Sequence, residues 1–243
     1  GGAINTNSTL GSSNFDGSIQ STAKVNATAG FSIVTYTGTS ASTATIGHGL
    51  GVTPNVIIVR ERDNTSQWAY FQTQLGFGSK LNLDLTDAVG GSSLMNQTAP
   101  TSTVFTVKNT GSGDVLNNGG LFIAYCFSEV AGYSKFGKYT GNGSSDGPFV
   151  FTNFTPRWIL MKCTGATGNW VLIDTERPSG GNFVNYNTLS PNLNSAENSS
   201  GGVTNDILSN GFKLRGATDR NINGQQHIYL AFAESPFKNA RAR

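Results

Sequence analysis

The sequence AGFSIVTYTG at residues 29–38, with TPNVIIV at residues 53–59, decides the fold because the chain contains this unit twice. A second copy follows, with AGYSKFGKYTG at residues 131–141 and TPRWILM at residues 155–161. A match in order that extends over roughly a hundred residues indicates two tandem domains of one fold.

The spacing of the two copies is regular. Two pairs of residues are each 102 positions apart: Pro54 with Pro156, and Trp68 with Trp170. The copies also end alike, in FIAYCFSE at residues 122–129 and IYLAFAE at residues 228–234. A residue that both copies share is expected to serve the fold, so the comparison separates scaffold from candidate site.

Short runs of aromatic and β-branched residues, separated by Gly, Asn, Ser and Asp turns, predict an all-β protein. The four apolar residues 56–59 predict a strand that is covered on both faces. We therefore expect two tandem antiparallel β-sandwich domains from an internal duplication. The expected boundaries are an extended linker from an upstream region at 1–28, the first repeat at 29–130, and the second repeat with a short basic tail at 131–243.

The composition points to a protein that works outside the cell. Charged residues make up 12% of the chain, against about 25% in ordinary soluble domains, and Gly fills 31 positions. A surface wetted by hydroxyl and amide groups is common in extracellular and virion proteins.

The net charge of +2, without a basic stripe, indicates no nucleic-acid partner. No apolar run of about 18 residues is present, so we expect no membrane insertion. The absence of an initiator Met and of a signal peptide suggests a processed chain or a piece of a longer one.

The histidines and cysteines do not form a pattern that predicts catalysis. His48 lies in a glycine-rich turn that the second copy does not keep, so we expect its ring to hydrogen bond nearby backbone. His227 is far from it in sequence, and the spacing is not that of a zinc hydrolase. Cys126 and Cys163 occupy unrelated positions of the repeat, which predicts free thiols and no metal site built on cysteine. No cofactor is expected, while an isolated calcium ion in a loop stays open.

The carboxylates invite a comparison with glycosidases, which need two of them about 5 to 10 Å apart across one bond. Glu129 and Glu234 end the last strand of their respective copies. Because the two positions are equivalent but belong to different domains, we interpret them as structural, paired with Arg60 and Lys162. The sequence therefore predicts that the chain is not an enzyme.

Aromatic side chains are the remaining candidates for ligand contact. Trp68 and Trp170 could stack on sugar rings, but their equivalence in the repeat favours a role as core anchors. Aromatic residues in segments where the copies diverge are better candidates, since loops on a rigid scaffold commonly carry recognition. The candidate ligand-binding residues are Phe77, Phe183 and Tyr186.

Several motifs together resemble a known family. They are GFSIV (30–34), HGLGVTP (48–54), AYCF (124–127), GYSKFG (132–137) and the ending PFK (236–238) with ARAR (240–243). Residues 29–243 resemble a C-terminal domain of virion structural and tail-fibre-like proteins of tailed bacteriophages, notably marine ones.

The resemblance implies a phage virion structural protein at the particle surface, a tail-fibre or appendage module for host-surface recognition and adhesion. Its implied partners are other virion proteins, copies of itself, as in trimeric fibres, and a host-surface glycan. Two alternatives stay open. One is a protein that decorates the capsid or another part of the head surface, and the other is a carbohydrate-binding module of a larger depolymerase.

Overall fold

The computed structural model describes residues 11–111, 115–178, 186–198, 205–216 and 218–233, and within these ranges it contains strands and no helix. The chain divides into two compact units. The first unit comprises Gly1–Leu83 and Val89–Glu129, and the second unit comprises Asp84–Ala88 and Val130–Arg243.

Ten strands lie in the first unit and eight in the second. The first unit contains β1 (Ser12–Asn14), β2 (Ser21–Asn26), β3 (Phe31–Thr37), β4 (Thr43–Gly47), β5 (Val56–Glu61), β6 (Ala69–Gln72), β7 (Ser79–Asn82), β8 (Gly90–Gly91), β9 (Val104–Lys108) and β10 (Leu121–Phe127). The second contains β11 (Ser134–Thr140), β12 (Phe149–Phe151), β13 (Pro156–Cys163), β14 (Val171–Pro178), β15 (Tyr186–Leu189), β16 (Asn205–Leu208), β17 (Gly211–Leu214) and β18 (Gln226–Ala233).

The pairings between these strands are antiparallel, which confirms the predicted all-β class. The first unit has an eight-stranded sheet, β1-β2-β3-β10-β5-β6-β7-β8, and a separate pair, β4-β9. The second unit has a five-stranded sheet, β11-β18-β13-β14-β15, and a three-stranded sheet, β12-β17-β16. The order β3-β10-β5-β6-β7 thus corresponds strand by strand to β11-β18-β13-β14-β15.

Each unit has its own core, which lies between its larger and its smaller sheet. In the first unit Tyr36 of β3 meets Phe105 of β9 edge to face, with ring centroids 6.3 Å apart. In the second unit Tyr139 of β11 meets Phe212 of β17 in the same way, also at 6.3 Å. Two sheets that bury a shared apolar layer are the arrangement expected of a sandwich.

The N-terminal segment differs from the expected linker. Strands β1 and β2 extend the large sheet of the first unit, and β2 pairs with β3 along its whole length. Ile19, Ser21 and Ala23 are buried, because alternate residues of an extended chain face the core. The small and polar composition of this segment hid that periodicity. The residues Asp84–Ala88, expected in the first repeat, belong to the second unit.

A buried tyrosine and a buried asparagine hold the end of β3 in the first unit. The Tyr36 hydroxyl donates to the carbonyl oxygen of Leu116 at 2.9 Å. The adjacent Asn117 is fully buried; its Oδ1 accepts from the backbone N–H of Thr39, and its Nδ2 donates to the Ala41 carbonyl, each at 2.7 Å. We call this arrangement the tyrosine–asparagine anchor.

The second unit contains the same anchor at the end of β11. The Tyr139 hydroxyl donates to the carbonyl oxygen of Arg220 at 2.8 Å. Asn221, which follows Arg220, is fully buried. Its Oδ1 accepts from the N–H of Asn142 at 2.8 Å, and its Nδ2 donates to the Gly216 carbonyl at 3.0 Å.

Glycine at the end of the Tyr-Thr-Gly motif lets the anchoring loop approach. A Cβ atom on Gly38 would lie 2.8 Å from the Gly119 nitrogen, and one on Gly141 would lie 2.4 Å from the Ile222 carbonyl oxygen. Both distances are too short for a side chain. The shared motif, anchor and strand order support the duplication that the sequence predicts.

We expect Tyr36→Phe and Tyr139→Phe each to lower the free energy of unfolding by roughly 1–2 kcal/mol, because a buried carbonyl loses its donor. Urea denaturation followed by tryptophan fluorescence measures the change. The matched control is Tyr133→Phe, since Tyr133 is only half-buried. Equal losses in all three variants would contradict the role of the anchor.

We expect the thiols to be unreactive in the folded protein. Cys126 and Cys163 are both free and buried, and burial raises the pKa of Cys126 to about 12. Since the thiolate is the reactive form, a chromogenic disulfide reagent at pH 8 should modify neither cysteine until denaturant is added. Rapid labelling of one thiol per native chain would refute this expectation.

Candidate functional site: a polar cleft in the second unit

The second unit contains a cleft of about 460 Å³, a size within the usual range of small-molecule sites, about 300–1,000 Å³. Side chains from the start of β14, from β15 and its following loop, and from the loop before β18 line it. The hydroxyl and amide side chains in this lining are Asn169, Thr188, Ser190, Ser195 and Asn198. Asp219 and Arg220 supply the charged groups, and Val171 and Leu193 supply apolar surface.

Hydrogen bonds hold the loop after β15 against β14. Asn192 accepts from the backbone N–H of Trp170 at 3.0 Å, and its Nδ2 donates to Asn169 Oδ1 at 2.9 Å. The backbones of Thr188 and Asn198 exchange two hydrogen bonds, at 2.9 and 3.1 Å. This backbone pairing closes the loop between Thr188 and Asn198.

Arg220 is the unusual residue of this lining. It is 9% exposed, and its Nε and Nη1 atoms are buried without a hydrogen-bond partner. Nε lies 3.8 Å from Asp219 Oδ1, beyond hydrogen-bond distance. Burial lowers the pKa of the guanidinium, but an arginine side chain stays charged at neutral pH. The cleft is therefore lined by a cation that its neighbours satisfy only in part.

Other polar residues lie below the loop that carries Arg220. His227 is fully buried and stacks on Tyr139, with ring centroids 5.0 Å apart. Its Nε2 is 3.1 Å from the Asp219 carbonyl oxygen, and its Nδ1 is 3.1 Å from that of Gln225. The Lys162 ammonium donates to the Cys163 carbonyl at 2.7 Å and to the Thr86 carbonyl at 3.3 Å.

These polar groups have apolar or more exposed counterparts in the first unit. Tyr36 pairs across the strands with Phe122, as Tyr139 pairs with His227, and Phe122 stacks on Tyr36 at 5.0 Å. The equivalent of Lys162 is Arg60, which lies over the Trp68 ring at 5.2 Å. Both positions are therefore polar and buried only in the second unit.

His48 serves the fold of the first unit, as the sequence predicts. Its Nε2 lies 3.2 Å from the Thr101 carbonyl oxygen, and its Nδ1 accepts from the N–H of Leu50 at 3.2 Å. This pattern fits the neutral ring that carries its proton on Nε2. With both ring nitrogens held by backbone, His48 is not placed to act on a ligand.

The three residues that the sequence predicts to contact a ligand differ in location. Phe77 was expected to contact a partner, but it lies in the hydrophobic core of the first unit and is 7% exposed. Successive tight turns between Gln72 and Ser79 fold this side chain inward, so that expectation is wrong. Phe183 lies outside the described residues. Tyr186 begins β15 on the edge of the five-stranded sheet, where its backbone pairs with Pro178.

The tryptophans do not all lie where the repeat predicts. Trp170 is fully buried and confirms the expected core anchor. Trp68 is half-buried and stacks near Tyr125, with ring centroids 6.0 Å apart. Trp158, aligned with the buried Val56, is itself half-buried and packs edge to face on Phe232.

Glu129 is not among the residues that line the cleft. Glu129 follows β10, where its backbone N–H donates to Asn55 Oδ1 at 2.8 Å. Glu234 lies outside the described residues. The ion pairs with Arg60 and Lys162 stay predictions.

Sequence reasoning missed Arg220 as a site residue. The signal was present in the repeat: the residue before the anchoring asparagine is Leu116 in one copy and Arg220 in the other. A one-residue difference in the loop after that asparagine hides this alignment. The structure recovers it, because the tyrosine hydroxyl bonds the same carbonyl in each unit.

Two general features of the described residues complete the description. Within them, no group of three or more His, Cys, Asp or Glu side chains is arranged to hold a metal ion. Across the same ranges, no helix has the length and apolarity needed to cross a membrane.

We expect stability to fall as the pH drops below about 6.5. Burial is the main reason that the pKa values of His48 and His227 lie below the ordinary value of 6.5. The unfolded chain then binds protons at a higher pH than the folded chain, so stability is full above pH 6.5 and is lost below it. Urea midpoints between pH 7.5 and 5.5 measure the slope.

His227→Phe, which introduces the residue of the first unit, should flatten this slope. His48→Gln should flatten it as well, because it removes the other buried histidine. A midpoint that stays constant or rises on acidification would show that the sign is wrong.

Comparisons with known proteins give one match. Searches of curated proteins and of solved structures found no significant similarity. The sequence model of one family, described as a domain of unknown function (DUF7483), matches residues 5–236. Because this match extends over nearly the whole chain, the protein belongs to the DUF7483 family.

Proposed function

We propose that this chain is a phage virion structural protein, a tail-fibre or appendage module that recognises and adheres to the host surface. The observation that carries the proposal is the polar cleft of the second unit, with its hydroxyl and amide lining. Such groups match the donors and acceptors of a glycan, and the apolar Val171 and Leu193 can contact its C–H surfaces.

The surrounding chemistry favours binding over catalysis. The nitrogens of both histidine rings face backbone groups, so neither is available as a general base beside the cleft. The loops that line the cleft rest on a sheet whose strand order recurs in the first unit. Recognition loops on a rigid β scaffold are a common arrangement for binding proteins.

Adhesion by such a module depends on avidity. A single polar cleft supports weak binding, and the simultaneous engagement of several linked copies multiplies it. The proposal therefore includes a homo-oligomer, a trimer by analogy with fibres, and contact with other virion proteins. The cleft equally favours the alternative of a carbohydrate-binding module within a larger depolymerase.

The location on the particle is tested by labelling intact phage with antibody raised against this chain. We expect labelled tails, as the appendage proposal requires. Labelled heads would support a capsid-decorating protein instead, and particles without label would refute a virion role.

The adhesion role is tested with fluorescently labelled protein on susceptible and resistant bacteria. We expect the full chain to bind susceptible cells and to leave their surface polysaccharide intact, since the proposal is of a binding protein. Glu129→Gln should bind equally well, because Glu129 lies outside the cleft. Degradation of the polysaccharide that this substitution abolishes would instead identify an enzyme.

A further inference from the structure

The first unit shows which other residue the fold accepts at the position of Arg220. In the first unit the residue that precedes the anchoring asparagine is Leu116, which is 3% exposed and belongs to the core. The backbone carbonyl of each residue accepts the same tyrosine hydroxyl. The scaffold therefore accepts leucine here, and the fold does not require a cation.

Arginine at this position is unfavourable unless a partner is supplied. Withdrawal of a charged group from water is unfavourable, and the buried Nε and Nη1 atoms of Arg220 have no hydrogen-bond partner. The Asp219 carboxylate compensates only in part, because its Oδ1 is 3.8 Å from Nε and its side chain is 45% exposed. Two donors of the guanidinium thus remain unsatisfied within the protein, and Arg220 itself lines the cleft.

Among the described residues that line the cleft, Asp219 is the only anion, and it does not reach hydrogen-bond distance of Arg220 Nε. The lining otherwise consists of neutral amide, hydroxyl and apolar side chains. The nearest buried cation of this region, Lys162, is engaged by the carbonyls of Cys163 and Thr86.

We propose that Arg220 binds an oxyanion, a carboxylate or a sulfate group, carried by an acidic saccharide that occupies this cleft. A guanidinium binds such a group through charge-assisted hydrogen bonds from its N–H donors. Asn169 and Ser195 line the same cleft and can contact the sugar hydroxyls. This inference rests on the proposed role in surface recognition and names the class of glycan that is recognised.

The test uses the full chain and three hexasaccharide probes: oligogalacturonate, sulfated isomaltohexaose and neutral isomaltohexaose. Isothermal titration calorimetry gives the affinity, and the shift of the melting temperature gives a second readout, since a ligand stabilises the state to which it binds. The variants are Arg220→Leu, which introduces the residue of the first unit, and Arg220→Lys, which keeps the charge but loses the planar fork.

Arg157→Leu is the matched control, because Arg157 pairs with Glu176 away from the cleft. We expect Arg220→Leu to weaken binding of an acidic probe at least about 10-fold, as loss of a charge-assisted bond requires. Arg157→Leu should leave it unchanged. The melting temperature of Arg220→Leu without ligand should equal or exceed that of the parent, because a buried unpaired cation is removed.

Each outcome of these measurements either supports or overturns the proposal that Arg220 binds an oxyanion. Loss of oligogalacturonate binding in Arg220→Leu assigns a carboxylate, and loss of binding to the sulfated probe alone assigns a sulfate. If Arg220→Leu does not fold, the same comparison with Arg220→Lys applies, with a smaller loss. Binding of host cells or of the neutral probe that is unaffected by both variants overturns this inference and leaves the proposed function in place. Absence of binding to cells and to all three probes overturns both.

Discussion

One tyrosine in each unit carries three interactions at once. Tyr36 and Tyr139 lie on a strand of the larger sheet, meet a phenylalanine of the smaller sheet, and donate a hydrogen bond to the loop that precedes the last strand. The next residue of that loop is a buried asparagine that bonds the chain just after the tyrosine's strand. The two sheets and the connecting loop are thereby fixed relative to one another within each unit, and the position of Arg220 follows from this constraint.

The anchoring tyrosine has different neighbours in the two units, although the scaffold is the same. In the first unit the tyrosine stacks on Phe122 and the loop presents Leu116 to the core. In the second unit it stacks on His227, and the loop presents Arg220. Each polar replacement gives up apolar burial and requires hydrogen bonds that a phenylalanine or leucine would not need. This contrast between apolar and polar residues at equivalent positions is the physical basis for placing the candidate site in the second unit.

Much of the fold could be predicted because it depends on local patterns. The apolar run 56–59 predicts a buried strand, and all four of these residues are buried. Tight turns are marked by glycine, as at Gly132 with its φ of 77°. Residues 12–26 contain two strands where a linker was expected. Their pattern is weak in the sequence, since strand β2 alternates small and polar residues whose burial depends on a neighbouring strand. Phe77 was misread for a related reason: glycine and asparagine around it suggested an exposed loop, whereas tertiary packing turned the ring inward.

The sequence by itself determined the strand-rich class, the repeat and the motifs that recur in it, because periodicity, turn residues and spacing are properties of neighbouring positions. Only the tertiary structure decided that Arg220 is buried, that it replaces Leu116, and that it shares a cleft with Asn169 and Ser195. Those facts depend on three segments of chain that converge across a sheet. Burial and hydrogen-bond satisfaction are set by that convergence, and no local pattern records them.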